Sequence, residues 1–280
     1  DAFSAFGVSE IVDENMASAA RVHAIEWGKD ISARAMIAFG GAAPLHASRL
    51  AEKLDIDKII IPTGAGVGSA IGFLRAPVAY EVVRSRYLQL ETFDHDFVNE
   101  LIEDMGVEAR TVVELGAAGT PLDESRFAYM RYVGQGHEII VPLPLRPLKL
   151  EDVSTLRQAF EAEYTRLYGR VIPGQEVEIL SWTLTISANS GGQGSTTVSQ
   201  KGTDGMTTIG NRDLFDADTN EFVDAPVYLR EDLGPGATVM GPALISEDQT
   251  TTVVTSNFTA SVDGRGYLIL DRHLERKNDD

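Results

Sequence analysis

The groups in this sequence best suited to chemistry lie at two glycine turns and one histidine. Gly40-Gly41 follows the apolar run Ala35 to Phe39 and precedes a helical stretch with Pro44 near its first turn. Glycine lets backbone approach a ligand closely, and a helix N-terminus offers amide donors that have no partner within the helix. Such a bend suits a nucleotide, although a bare Gly-Gly pair is most often a simple chain reversal. His46 stands one turn into the same helix. There an imidazole can donate to phosphate or shuttle a proton, and it can as readily cap or pack. Gly64, Gly66 and Gly68 make a second turn, which close packing of a helix on a sheet also explains.

The remaining candidates are weaker. His23 reads as a helix-face residue, and His95 between Asp94 and Asp96 as a solvated helix start. His137 and Glu138 are strand neighbours on opposite faces, so they form no metal pair, and no metal site is expected. Asp204-Gly205 and Asp263-Gly264 read as ordinary turns. Arg84 and Arg86 can meet anionic groups at a contact, or lie solvated. The acidic clusters at 100–104 and 247–248 read as exposed faces. No serine-histidine-acid set can be nominated from spacing, because such groups meet in space.

Elements that position these residues follow from periodicity. Ser9 can cap a helix from about Ile11 to Trp27 that Gly28 ends. Its apolar residues spread over several faces, which predicts burial on more than one side. Ala35 to Phe39 and Lys58 to Pro62 read as short buried strands, with a helix from Pro44 to Leu54 between them. The run 63–72 is a glycine-rich turn into a helix of small residues. Strand, turn, helix, strand and turn again is the grammar of an α/β domain. Beyond Arg86 the pattern predicts a helix over 97–115, a hairpin joining 126–133 to 138–142 through Gly134-Gln135-Gly136, a helix over 153–168 stopped by Gly169, and a long strand over 177–188. Residues 189–210, rich in Gly, Ser and Thr, predict a flexible excursion, and 222–270 a β-rich module. Two domains are expected: 1–90, and an α+β domain over 91–280.

Composition narrows the classes. The net charge of −18 and pI near 4.6 exclude a broad basic surface, so no nucleic-acid partner is expected. No apolar run reaches the roughly 18–20 residues of a membrane span, no signal peptide is evident, and a cytoplasmic location is expected. With no cysteine, disulfides, zinc thiolates and thiol nucleophiles are excluded together. The opening on Asp1 and an apolar stretch fits a piece of a longer polypeptide.

Several landmarks, taken in order, carry a family resemblance. Residues 38–47 (AFGGAAPLHA), 59–62 (IIIP) and 64–72 (GAGVGSAIG) resemble the late part of the A-type subunit of the hydantoinase/oxoprolinase family. Asn15-Met16-Ala17, Arg131-Tyr132 with Gly134-Gln135, Tyr168-Gly169, the run 222–228 and the run 241–245 fit as well. The resemblance implies an α/β fold: part of an actin/hexokinase-like ATPase lobe, followed by a smaller β-rich C-terminal domain. It implies ATP with Mg2+ in the complete enzyme. Gly40, Gly41 and Ala42 would meet the nucleotide, the turn on its adenosine or sugar side, His46 would reach into the same cleft, and Gly64 and Gly66 would help line it. Ala43 departs from the family's usual glycine, where a methyl group can narrow the approach.

The family's first phosphate turn, an acidic residue followed by glycines, is not seen, so no catalysis by this chain alone is expected. The partners implied are an N-terminal ATPase segment of the same subunit and a B-type hydantoinase subunit, in a hetero-oligomer. The activity implied is phosphorylation of a carbonyl or amide, for cyclic amide hydrolysis as in N-methylhydantoinases and 5-oxoprolinases, or for acetone- and acetophenone-type carboxylation. A non-catalytic assembly module is the alternative.

Overall fold

A computed structural model of the chain describes residues 2–189 and 206–273. Helix α1 (Ala2–Glu26) leads to strand β1 (Ala35–Ile37), helix α2 (Ala43–Leu54), strand β2 (Lys58–Ile61) and helix α3 (Gly68–Arg75). Strand β3 (Ala79–Gln89), helix α4 (His95–Ala117), strands β4 (Leu122–Tyr132) and β5 (Ile139–Pro142), helix α5 (Val153–Tyr168) and strand β6 (Val177–Ala188) follow. The last part is all β: β7 (Thr208–Asp216), β8 (Glu221–Leu229), β9 (Thr238–Met240), β10 (Ala243–Ser246), β11 (Thr251–Val254), β12 (Phe258–Val262) and β13 (Leu268–Arg272).

These elements form two compact units, and the chain passes through the first one twice. That unit holds the described residues up to 74 together with those from 206 onward, and the second holds 75–189. The sequence reading grouped everything beyond residue 90 in one domain. In the structure the final strand β13 instead pairs antiparallel with β2, matching Leu270 with Ile59 and Leu268 with Ile61. The reason lies in burial. Ile59 and Ile61 on β2 need a second apolar strand beside them, and Leu268 and Leu270, spaced by two, present their side chains to the same face.

In the first unit β1 and β2 pair in parallel, with α2 as the crossover between them. The sheet has the order β1-β2-β13-β12-β9, so β1 is an edge. A second sheet, β11-β10-β8-β7, shares the same core through Ala243, Ile245 and Val254. Buried Ser48 on α2 donates to the Val253 carbonyl at 2.7 Å and ties the helix to β11.

Helix α1 begins at Ala2, well before the expected cap at Ser9, since no proline or tight turn interrupts 2–10. Only part of it is covered: Asp13 and Ala17 are buried, whereas Ile11, Val22 and Ile25 stand exposed. The expected burial on several sides is therefore not provided by this unit. The excursion read at 189–210 lies outside the described residues over 190–205, and 208–210 belong to β7.

The second unit is a four-stranded antiparallel sheet, β3-β6-β4-β5, with α4 and α5 against it. Trp182 is fully buried and donates its Nε1–H to the Arg86 carbonyl at 3.2 Å. Gly106 lies mid-helix in α4 beside Leu184, where a Cβ would stand 3.7 Å away in ordinary contact. The landmark residues here hold the fold. Tyr132 stacks edge-on to Phe160 and Tyr164, Gln135 donates to the Tyr164 hydroxyl at 2.7 Å, and Gly169 caps α5 in the left-handed region. Arg84 and Arg86 lie within β3; Arg84 pairs with Glu108 and Arg86 lies over the Phe97 ring at 4.8 Å.

Candidate functional site

The first unit brings together the two glycine turns that stand about 24 residues apart in sequence. The Gly40 amide donates to the Ala65 carbonyl at 2.7 Å, so the bend after β1 and the bend after β2 form one ledge at the head of α2. Gly40 sits at φ +117°, a conformation that side chains rarely adopt, and no atom within 4 Å would meet a Cβ there. Gly41 and Ala42 are exposed, and among the described residues neither amide has a protein acceptor. Two free N–H groups at the start of a 12-residue helix with no side-chain cap make a ready place for electron-rich oxygen or nitrogen.

The third participant was not legible in the sequence. The β10–β11 turn, Glu247 to Thr250, reaches under the ledge from the far end of the chain. The Thr250 hydroxyl donates to the Gly41 carbonyl at 2.8 Å. Gln249 lies on Gly66, where a Cβ would be 2.7 Å from the Gln249 Cβ and 3.0 Å from its carbonyl oxygen. Gly66 therefore serves close packing. Gly68 has the same use against Phe39. Glu247, expected on an exposed face, is instead largely covered beside Arg230, and burial pushes its carboxyl above the ordinary range.

His46 lies on α2 between two cavities. One, of about 570 Å³, runs along Met36, Phe39, Gly40, Gly41 and Leu50. The other, of about 410 Å³, is walled by Phe6, Phe215 and Phe222 and includes Asp13 and Arg49. His46 lines both. Its Nδ1 lies 2.8 Å from Oδ1 of Asp13, a carboxylate on α1 that is only 3% exposed. Burial pushes the Asp13 carboxyl above its usual range, while the neighbouring imidazole pulls the other way.

Close by, Glu10 forms a two-bonded pair with Arg49 at 2.7 and 3.0 Å and meets Lys53. These contacts, Arg49 first, hold its carboxyl down at about 2. Ala43, the departure noted above, is half-buried against the core at the first turn of α2.

Among the described residues no group of three or more histidine, aspartate or glutamate side chains converges to hold a metal, and no helix is long and apolar enough to cross a membrane. Asp263-Gly264 is an ordinary turn: Asp263 Oδ1 accepts from the amides of Arg265 and Tyr267. Asp204-Gly205 lies outside the described residues.

The order of these landmarks matches known sequences. The model of the hydantoinase/oxoprolinase C-terminal domain matches residues 105–273, and that of hydantoinase/oxoprolinase matches 4–82. The chain belongs to the hydantoinase/oxoprolinase family. It is 29% identical to the acetophenone carboxylase gamma subunit of Aromatoleum aromaticum over 276 residues, covering 93% of this chain and 37% of that protein. It is 28% identical to the acetone carboxylase beta subunit of Xanthobacter autotrophicus over 278 residues, covering 93% and 38%. The crystal structure of the ATP-dependent caprolactamase from Pseudomonas jessenii superposes with a TM-score of 0.73 at 25% identity, over 96% of this chain and 40% of that one. The chain thus spans less than two-fifths of the length of these two curated relatives. Its fold is a mixed α/β fold, as these likenesses require.

Proposed function

We propose that this chain is the C-terminal part of an ATP-dependent A-type subunit, supplying one wall of an actin-like nucleotide cleft. The observation that carries this reading is the ledge at the head of α2, where Gly40 and Ala65 join and the Gly41 and Ala42 amides are free. The ledge suits a nucleotide: its amides can donate to an anionic or heterocyclic acceptor, and the open space over Gly40 admits close approach. The apolar cavity alongside, walled by Met36, Phe39 and Leu50, suits a base or sugar face better than a triphosphate. ATP bound there supplies a phosphoryl group that turns a carbonyl or amide oxygen into a leaving group. In this chain Gly40, Gly41, Ala42 and His46 would position the nucleotide.

Gly64 and Gly66 take a different part in this reading. They shape the ledge from beneath, and Gly66 does so through Gln249. Mg2+ would arrive with the phosphates and be held by them and by residues of the opposite wall. That wall would be the N-terminal ATPase segment of the same subunit, and a B-type subunit would complete a hetero-oligomer. The unpaired edge of β1 and the exposed apolar residues of α1 support such a cover, because free sheet edges and apolar faces are ordinarily protected. The reaction would be cyclic amide hydrolysis or ketone carboxylation.

The test is nucleotide binding followed by turnover. ADP at millimolar concentration should shift the amide resonances of Gly40, Gly41 and Ala42, while the chain alone should hydrolyse no ATP at enzyme-like rates. Rapid turnover by the isolated chain, or ADP shifts confined to other residues, would overturn the reading.

A further inference from the structure

We propose that Asp13 is the positioning residue for His46, fixing the imidazole with its proton on Nδ1 so that Nε2 presents a lone pair to a ligand on the Gly40–Gly41 ledge. This rests on the preceding reading for the identity of the ligand, but not for the arrangement of the two side chains.

The geometry supplies each part. Asp13 is almost wholly buried and offers Oδ1 to Nδ1 at 2.8 Å. A buried carboxylate is costly unless it is hydrogen-bonded, and an Nδ1–H donor beside it is what relieves that cost. With one ring nitrogen committed as donor, the neutral imidazole must carry its lone pair on the other. Among the described residues no protein group reaches Nε2, although the His46 side chain is about one-fifth exposed and lines both cavities. His46 satisfies one ring nitrogen within the protein and leaves Nε2 open to a ligand or to water.

The surrounding charges are already engaged. Arg49 is held by Glu10 and Glu52, and Lys53 by Glu10 and Glu14, so Asp13 and His46 are left to each other. Nε2 is then placed to accept a hydrogen bond or a proton from a ligand O–H or N–H, or from a water beside it. The positive charge formed on the ring would be stabilised by the Asp13 carboxylate at its other side. The arrangement follows the logic of any carboxylate-oriented histidine, in which the acid acts through the ring and not on the ligand.

The test is histidine-selective 15N NMR of the chain, with His46→Gln assigning the His46 signal among the five histidines. The wild type should show the Nδ1–H tautomer at His46. Asp13→Asn should shift the tautomer ratio toward Nε2–H by tenfold or more, while a thermal melt confirms that it remains folded. Millimolar ADP should move the wild-type Nε2 resonance along with the Gly40 and Gly41 amides.

If Asp13→Asn fails to fold, the wild-type tautomer and its ADP response still decide the matter. An Nε2–H tautomer in the wild type, or a ratio unchanged by Asp13→Asn, overturns the positioning role. A silent Nε2 beside shifted Gly40 and Gly41 amides overturns the ligand contact and leaves the nucleotide reading standing. ADP that moves neither overturns the nucleotide reading, and with it the ligand contact, while the tautomer arm still judges Asp13.

Discussion

Gln249 rests on the Cα of Gly66, with its Cβ 2.7 Å and its carbonyl oxygen 3.0 Å from where a methyl group at 66 would stand. Residues 183 positions apart in sequence are thereby fitted without room for one carbon. The neighbour is partly backbone and cannot swing away. Gly66→Ala should therefore destabilise the first unit by about 1–3 kcal/mol, as overpacked sites do. Gly72→Ala is the control: it lies in α3 with nothing within 4 Å, and should be neutral or stabilise by up to ~1 kcal/mol through helix propensity. Chemical denaturation of both variants checks the contrast, and equal losses would show that the close fit at 66 is not real.

Trp182 is the largest fully buried side chain of the second unit, next to Phe93 and hydrogen-bonded to the Arg86 carbonyl. Trp182→Ala should cost roughly 3–5 kcal/mol of that unit's stability. Trp182→Phe keeps most of the apolar volume but loses the N–H donor, and should cost less. Differential unfolding monitored on residues of each unit should place the loss in 75–189.

Asp152 accepts two hydrogen bonds from the Arg146 guanidinium at 2.7 Å each and one from the Lys149 amide at 2.8 Å. The guanidinium chiefly, and then the backbone donor, hold its carboxyl down at about 2, from an ordinary value of 3.8. A carboxyl depressed on folding stabilises the native state fully above its unfolded value, and that contribution is lost as pH falls through the folded one. Stability of the second unit should therefore fall between about pH 4 and pH 2, and Asp152→Asn should be less stable at pH 7 with a flatter decline over the same window. Urea midpoints across that range check the prediction; identical slopes in both proteins would refute it.

Ile25 on α1 is 75% exposed, and Ile11 and Val22 are also uncovered. Ile25→Glu should leave the chain's own stability within about 0.5 kcal/mol, because no packing is lost. It should reduce self-association in light scattering, since exposed apolar faces drive it. A large loss of stability would show that the residue is covered within this chain.

Much of the local architecture was legible from residue types alone. Gly169 marked the end of α5 because a left-handed residue closes a helix cheaply only as glycine. The apolar and β-branched run from Val177 to Ala188 marked a strand of those bounds, and Gly40-Gly41 before Pro44 marked a bend at the head of α2. Both signals are short in range, set by backbone sterics and by the period of side chains along one element. His46 was legible as a candidate for the same reason, through its place one turn beyond the bend.

Its partner was not. Asp13 is one of 42 acidic residues, lies 33 positions away, and is distinguished only by where α1 meets α2. Nor could the sequence reveal that Thr250 would hold the Gly41 carbonyl, or that β13 would return to pair with β2. Local periodicity states which face of an element is apolar, but many elements offer such a face. Which two meet is decided by the burial and hydrogen bonding of the whole unit at once, and so only the tertiary structure joined the two glycine turns into one ledge and set a carboxylate behind the histidine.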